Sequence, residues 1–282
     1  MLRLALPNKG ALAEGARQLV WEAGYRCHRR EGELVVRDGD NEVEFIFLRP
    51  RDIAVYVGSG VLDLGITGRD LMVDSEARVV ELLALHFGRS IFRYAVPAAS
   101  GLELGDLAGL RIATSYPNLV AGDLRRRGLE AEVIQLDGAV EISVELGVAD
   151  AVADVVHTGR TLERAGLETA GEPVMESEAV LIGRDCGTGD ERAIERVLER
   201  LRGIVVAREH AMVEYDVPGA LVDVACGITP GIGAPTVTPL SREGWVAVKA
   251  MVVRREANRI MDQLKEIGAT GIVVTDIRTC RI

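Results

Sequence analysis

Asp154-Val155-Val156-His157-Thr158-Gly159-Arg160-Thr161-Leu162 is the segment of this 282-residue chain best equipped for chemistry. An acidic residue closes an apolar run, and a Thr-Gly-x-Thr turn follows it directly. Val152 to Val156 reads as the end of a buried strand, and Leu162-Glu163-Arg164-Ala165 as the first turn of a helix. Such a turn sets backbone N–H groups and hydroxyls at a helix N-terminus, where unpaired amides and the dipole favour an anion such as phosphate. Asp154, one turn away, is placed to accept hydrogen bonds from sugar hydroxyls beside that phosphate. Together these groups would grip a ribose 5-phosphate. The same residues also suit an ordinary helix cap, because Thr is a common N-cap, and alone they leave both readings open.

The elements that must position this turn follow from the pattern. Up to about Gly183, short apolar runs alternate with helical periodicity, as in α/β folds. Strands are predicted at Leu2–Leu6, Val43–Leu48, Leu64–Thr67, Leu110–Ile112, Ala131–Gln135 and Ala151–Val156. Helices are predicted at Ala11–Ala23, Arg51–Gly58, Leu119–Arg127 and around Val140–Leu146. Two α/β lobes facing across a cleft is the natural arrangement, with the Asp154–Thr161 turn at the carboxyl end of a strand, where open sheets bind ligands. After a turn-rich junction at Asp185–Asp190 and a charged helix, Glu191–Leu201, the pattern changes. Strands at Ala211–Tyr215, Thr236–Leu240, Val246–Val253 and Gly271–Thr275, with helices at Gly219–Ala225 and Arg255–Ile267, give the order βαββαβ of a ferredoxin-like domain.

Composition narrows the function. A formal charge of −10 argues against a nucleic-acid surface, and the basic run Arg125-Arg126-Arg127 reads as a solvated helix end stopped by Gly128. Cys27, Cys186, Cys226 and Cys280 are scattered without metal-ligand spacing, which fits free thiols in a reducing compartment. No apolar run reaches the roughly 18 residues of a membrane span, and Pro7-Asn8-Lys9 interrupts the opening run too early for a secretory signal. A cytoplasmic protein without membrane partners is expected.

Glu141, Gly147 and Ala149-Asp150-Ala151-Val152-Ala153-Asp154 precede the turn, and the stretch from Glu141 to Leu162 resembles the signature of the ATP phosphoribosyltransferases, which open histidine biosynthesis. Leu4-Ala5-Leu6-Pro7-Asn8-Lys9-Gly10 is similar to the family's first strand and loop. Phe47-Leu48-Arg49-Pro50-Arg51-Asp52-Ile53 and Val57–Leu71 are similar to its nucleotide-facing segments, and Thr275-Asp276-Ile277-Arg278 to the tail of its long form. The resemblance spans essentially the whole chain. It implies two periplasmic-binding-protein-like lobes, 1–90 with 184–210 and 91–183, and a histidine-binding regulatory domain at 211–282. It also implies transfer of the phosphoribosyl group of phosphoribosyl pyrophosphate to N1 of ATP. That nitrogen is unprotonated at neutral pH, so positioning and charge stabilisation of the leaving pyrophosphate carry the reaction.

By this resemblance Thr158, Gly159, Arg160 and Thr161 hold the 5-phosphate, and Asp154 with Glu141 the ribose hydroxyls. Lys9 and Arg49 are the cations near the pyrophosphate or triphosphate, and Gly10, Gly68, Arg69 and Asp70 line the nucleotide side. Arg69 and Asp70 also suit a plain helix-start ion pair. His157 receives no catalytic role. Mg²⁺ is expected to arrive through the substrate phosphates, with no preformed protein site. Asp216, Ile232, Ala234, Thr236 and Gly271 are the implied histidine site, with Asp216 meeting the effector's ammonium. Ala234 stands where related enzymes can present a hydroxyl. The assembly implied is a homo-hexamer in equilibrium with a dimer.

Three rival readings are weaker. A solute-binding protein would need an export signal or lipid-anchor cysteine. A type I phosphoribosyltransferase would show two adjacent acids before its Thr-Gly loop, where this chain has Ala153-Asp154. A purely regulatory module would not keep the Glu141–Leu162 signature.

Overall fold

The computed structural model describes residues 1–30, 32–156, 159–185 and 190–281. It divides into two units, Met1–Trp21 with Tyr25–Leu198, and Glu22–Gly24 with Glu199–Ile282. In chain order the elements are β1 (Leu2–Pro7), α1 (Ala11–Glu22), β2 (Val35–Asp38), β3 (Val43–Leu48), α2 (Pro50–Gly58), β4 (Leu64–Gly68), α3 (Arg69–Asp74) and β5 (Val79–Ala84). Then follow β6 (Ser90–Pro97), β7 (Arg111–Thr114), α4 (Pro117–Arg127), β8 (Glu132–Gln135), α5 (Ile142–Glu145), β9 (Ala151–Val156), α6 (Arg160–Arg164), β10 (Leu167–Ser177) and β11 (Ala179–Arg184). The chain closes with α7 (Glu191–Glu209), β12 (His210–Pro218), α8 (Val222–Ile228), β13 (Thr236–Pro239), β14 (Trp245–Val253), α9 (Ala257–Glu266) and β15 (Thr270–Asp276).

The first unit holds two sheets, one per lobe. Lobe I is six-stranded in the order β2-β3-β1-β4-β11-β5, and lobe II five-stranded in the order β10-β6-β9-β7-β8. This is the two-lobed α/β architecture that the sequence pattern implies. In lobe II the run Ala151-Val152-Ala153 is buried because β9 is the central strand, with apolar residues on both faces. Ala151 and Ala153 pack with Phe92, Tyr94, Leu119 and Val120, while Val152 packs with Val140, Leu162 and Leu167. Strands covered on both sides read as unbroken apolar runs.

The sequence pattern misses β2, β5, β6, β10 and β11. Ala179–Arg184 pairs antiparallel with β4 and β5, so the chain re-enters lobe I at Ala179, upstream of the expected 184. The expected division at 211 also differs from the packing. The second unit begins inside α7, because the tail returns to that helix: Arg281 pairs with Glu199 at 2.7 Å, and the Cys280 N–H bonds the Gly203 carbonyl at 3.3 Å.

The second unit carries the four-stranded antiparallel sheet β13-β14-β12-β15. With α8 and α9 this is the ferredoxin-like order. Val213, Tyr215, Val217, Val248 and Val252 alternate along β12 and β14 to face Ala225, Ile260 and Leu264 of the helices. The basic run Arg125-Arg126-Arg127 is the exposed last turn of α4, stopped by Gly128 as expected. Arg126 and Arg127 pair with buried Asp123 at 3.1 and 2.7 Å, and Tyr94 donates its hydroxyl to the same carboxylate at 3.0 Å. Among the described residues Cys27, Cys226 and Cys280 are free thiols, and Cys186 lies outside them. No described helix is long and apolar enough to cross a membrane.

Candidate active site

β9 delivers Asp154 to its carboxyl end, and the chain turns at Gly159 into α6. Gly159 has φ 73°, in the left-handed region where glycine is unstrained, so the turn can tighten without a Cβ penalty. Leu162 is buried against Val140, Val152 and Leu167 and pins the first turn of α6 to the lobe core. Truncating such a side chain costs about 2–5 kcal/mol. Glu141, Asp154, Gly159 and Thr161 line one cavity of about 180 Å³ with Val152, Val155, Val156 and Leu162. Arg160 is exposed and does not line it. Thr158 and His157 lie outside the described residues.

Burial pushes the Asp154 carboxyl above its ordinary value, opposed by the Val155 N–H at 2.7 Å. The charges of Glu141 and Asp70 push it further up, and Arg51 pulls it down. Asp154 of lobe II and Asp70 of lobe I therefore share one electrostatic neighbourhood. Tyr116, just before α4, joins it. Its phenol is driven strongly up by burial, then by the charges of Asp70 and Asp154. The Arg51 guanidinium lies 4.9 Å from the centre of the Tyr116 ring, and the Phe92 ring meets that ring edge-on at 5.1 Å.

Asp70 is buried at the start of α3, where its Oδ1 accepts from the Leu71 N–H at 2.9 Å. A Cβ on Gly68 would collide with that oxygen, so glycine at 68 is what lets the Asp70 carboxylate turn back over the helix start. Arg69 is not paired with Asp70. Its guanidinium reaches both Glu81 oxygens at 2.7 Å and Glu178 at 3.3 Å, and these bonds hold it firmly protonated.

Lys9 and Arg49 are exposed, have no ion-pair partner among the described residues, and do not line the 180 Å³ cavity. Gly10 follows Lys9 with φ 81°. Beside Lys9, the Asn8 Oδ1 is buried without a hydrogen-bond partner among the described residues. Sequence reading overlooked Arg51, Tyr116 and Asp74. Arg51 lies within the quoted Phe47–Ile53 segment, but nothing local distinguishes it from Arg49. Asp74 carries no motif at all.

In the second unit, Asp216 of β12 and Gly271 of β15 lie together. Gly271 has φ 60°, and a Cβ there would stand 3.4 Å from the Asp216 Oδ2. Ile232 lines a cavity of about 460 Å³ with His210, Met251 and Arg259. Asp216, Ala234, Thr236 and Gly271 do not line it. Ala234 and Thr236 are exposed, the latter on the edge strand β13.

No group of three or more His, Cys, Asp or Glu among the described residues is arranged to hold a metal ion.

Comparison with known proteins identifies this arrangement. Residues 49–203 match the family model for ATP phosphoribosyltransferase, and residues 207–279 the model for the C-terminal domain of the same enzyme. The ATP phosphoribosyltransferase of Nocardia farcinica is 58% identical over 281 residues, covering 100% of this chain and 99% of that protein. The ATP phosphoribosyltransferase of Salinibacter ruber is 56% identical and covered in full on both sides. Among solved structures, an ATP phosphoribosyl transferase (HisG:HisZ) complex from Thermotoga maritima matches with TM-score 0.64 at 26% identity, over 73% of this chain and 98% of that one. With its catalytic lobes and its C-terminal domain both matched, the chain belongs to the ATP phosphoribosyltransferase family, in its long form.

Proposed function

We propose that this chain joins phosphoribosyl pyrophosphate to N1 of ATP, releasing pyrophosphate, and that Asp154, Glu141 and the Gly159–Thr161 turn hold the donor. The observation that carries the reading is the meeting of Glu141, Asp154, Gly159 and Thr161 around one cavity at the end of a central strand. Phosphate binds the turn through backbone amides and hydroxyls, with Thr158 and Arg160 contributing. Asp154 and Glu141 accept from the ribose hydroxyls and fix the anomeric carbon for in-line attack. Burial of Asp154 strengthens those bonds, because charge-assisted hydrogen bonds gain in a low dielectric. Asp70, with Gly68, Arg69, Lys9 and Gly10, forms the nucleotide side, and Lys9 and Arg49 meet the polyphosphate charge as the bond to pyrophosphate breaks.

A divalent cation suits this site. The charges of Glu141 and Asp70 raise the proton affinity of Asp154, and a cation brought in by the pyrophosphate relieves that repulsion. Mg²⁺ would be held by substrate oxygens, with Asp154 and Glu141 at its edge, and would neutralise charge on the leaving group. Residues 211–282 form the regulatory domain, where L-histidine binds through Asp216, Ile232, Ala234, Thr236 and Gly271 in a cytoplasmic homo-hexamer exchanging with dimers. Pyrophosphate release that requires ATP, phosphoribosyl pyrophosphate and Mg²⁺ together tests the reading. Release from phosphoribosyl pyrophosphate without ATP would contradict it.

A further inference from the structure

Helix α3 is six residues long and has an acid near each end. Its first end is fastened to the segment where the chain crosses between lobes. The Arg69 N–H donates to the Glu178 carbonyl at 3.0 Å, and the Asp70 N–H to the Ser177 hydroxyl at 3.0 Å. Its last residue, Asp74, is buried and fastened to the other lobe. The Asp74 Oδ1 accepts from the N–H groups of Asn118 and Leu119 at 3.0 and 3.1 Å, and its Oδ2 accepts from Arg51 at 2.7 Å. The Asn118 side-chain amide returns a bond to the Asp74 carbonyl at 2.8 Å.

These bonds replace a missing cap. α4 begins at Pro117, which has no N–H, and the preceding residue, Tyr116, gives no side-chain cap. The next two amides of α4 are satisfied from the opposite lobe, 44 and 45 residues away in sequence. Tyr116 stands at the joint itself. Its ring lies 4.9 Å from the Arg51 guanidinium, and Arg51 also donates to Asp74, which holds the start of the helix that Tyr116 precedes. α3 is thus a short strut between the crossing segment and α4.

We propose that Asp74 is a positioning residue for the transfer. By capping α4 from lobe I, it sets where Tyr116 and the Asp154 cavity of lobe II stand relative to Asp70. The reaction needs groups of both lobes in place together, and misplacement of about 1 Å can lower a rate up to 100-fold. The inference rests on the assignment of the donor to Asp154 and Thr161 and of the nucleotide to Asp70.

The test is steady-state kinetics on three full-length variants, with thermal unfolding beside each. Asp74→Ala removes both acceptors and is expected to lower kcat by about 10- to 100-fold. KM for phosphoribosyl pyrophosphate should stay within about two-fold, because the turn that binds it is untouched. Asp74→Asn keeps one oxygen for the two amides, and Asn caps helices about as well as Asp, so kcat should recover to within about threefold of wild type. Asn118→Ala, at an exposed position, removes only the bond to the Asp74 carbonyl and should lower kcat by a smaller factor. If Asp74→Ala does not fold, Asn118→Ala and Asp74→Asn decide. An unchanged kcat in Asn118→Ala, a loss expressed wholly in KM, or an Asp74→Asn variant no better than Asp74→Ala overturns the proposal. Failure of the donor assignment would show separately, as wild-type activity in Asp154→Ala.

Discussion

Arg51, in the first lobe, stands over the ring of Tyr116 in the second, its guanidinium 4.9 Å from the ring centre. The contact spans the two lobes beside the charges of Asp70 and Asp154, the residues assigned to the two substrates.

Tyr116→Phe removes the phenol hydroxyl and leaves the ring. The phenyl ring keeps its edge contact with Phe92 and its place beside Arg51, so the fold should persist. The variant removes the hydroxyl on which the charges of Asp70 and Asp154 both act. KM for ATP should rise while KM for phosphoribosyl pyrophosphate holds. Equal changes in the two constants would detach Tyr116 from the nucleotide side.

Asp154 is held at a cost to stability. Its carboxyl lies above the ordinary 3.8 in the folded chain, first because burial disfavours the charge. Between the ordinary and the folded value, the native state binds more protons than the unfolded chain. Stability therefore falls as pH rises through that window, and the loss is complete above the folded value. Asp154→Asn removes this penalty. Its Tm should exceed that of wild type at pH 7, and the difference should shrink as pH falls toward 3.8. A Tm below wild type at pH 7 would show that the carboxylate stabilises the fold instead. Activity should be lost in the same variant, the usual exchange at a functional site.

The segments that read correctly are those whose pattern is local. Val43–Leu48 and Ala151–Val156 match β3 and β9 residue for residue, because each is an apolar run flanked by polar residues. The antiparallel strands were harder. β10 is broken by Gly171-Glu172-Pro173, and its pairing with β6 shifts register between Ala170 and Met175, so no period survives. β11 is a short buried run, which periodicity alone does not separate from a helix. The donor turn could be read because its residues are contiguous. Asp74 could not, since its meaning lies in two amides of another lobe. Arg69 shows the converse. Its neighbour in sequence is Asp70, yet its partners are Glu81 and Glu178, brought near by the sheet.

Regulation is expected to separate from catalysis. Asp216 sits beside Gly271, whose missing side chain leaves room at the carboxylate. Asp216→Ala should shift the histidine dose–response to higher concentration with kcat unchanged, and Ala234→Ser should shift it the other way by supplying a hydroxyl. Inhibition requires histidine to favour one arrangement of the protein over another, because equal affinity for both changes nothing. Superimposable dose–response curves for wild type and Asp216→Ala would remove the proposed effector site.

The central claim is that the Asp154–Thr161 segment grips the phosphoribosyl donor. Its most direct test is kcat/KM for phosphoribosyl pyrophosphate, read as pyrophosphate release, in Asp154→Ala and Thr161→Ala at saturating ATP. Both residues border a cavity, so their removal opens no void in the core, and thermal unfolding should not fall below wild type. Each variant should lose about 1.5–3 kcal/mol of transition-state binding, roughly a 10- to 150-fold fall in kcat/KM. Folded variants with kcat/KM within about two-fold of wild type would contradict the assignment.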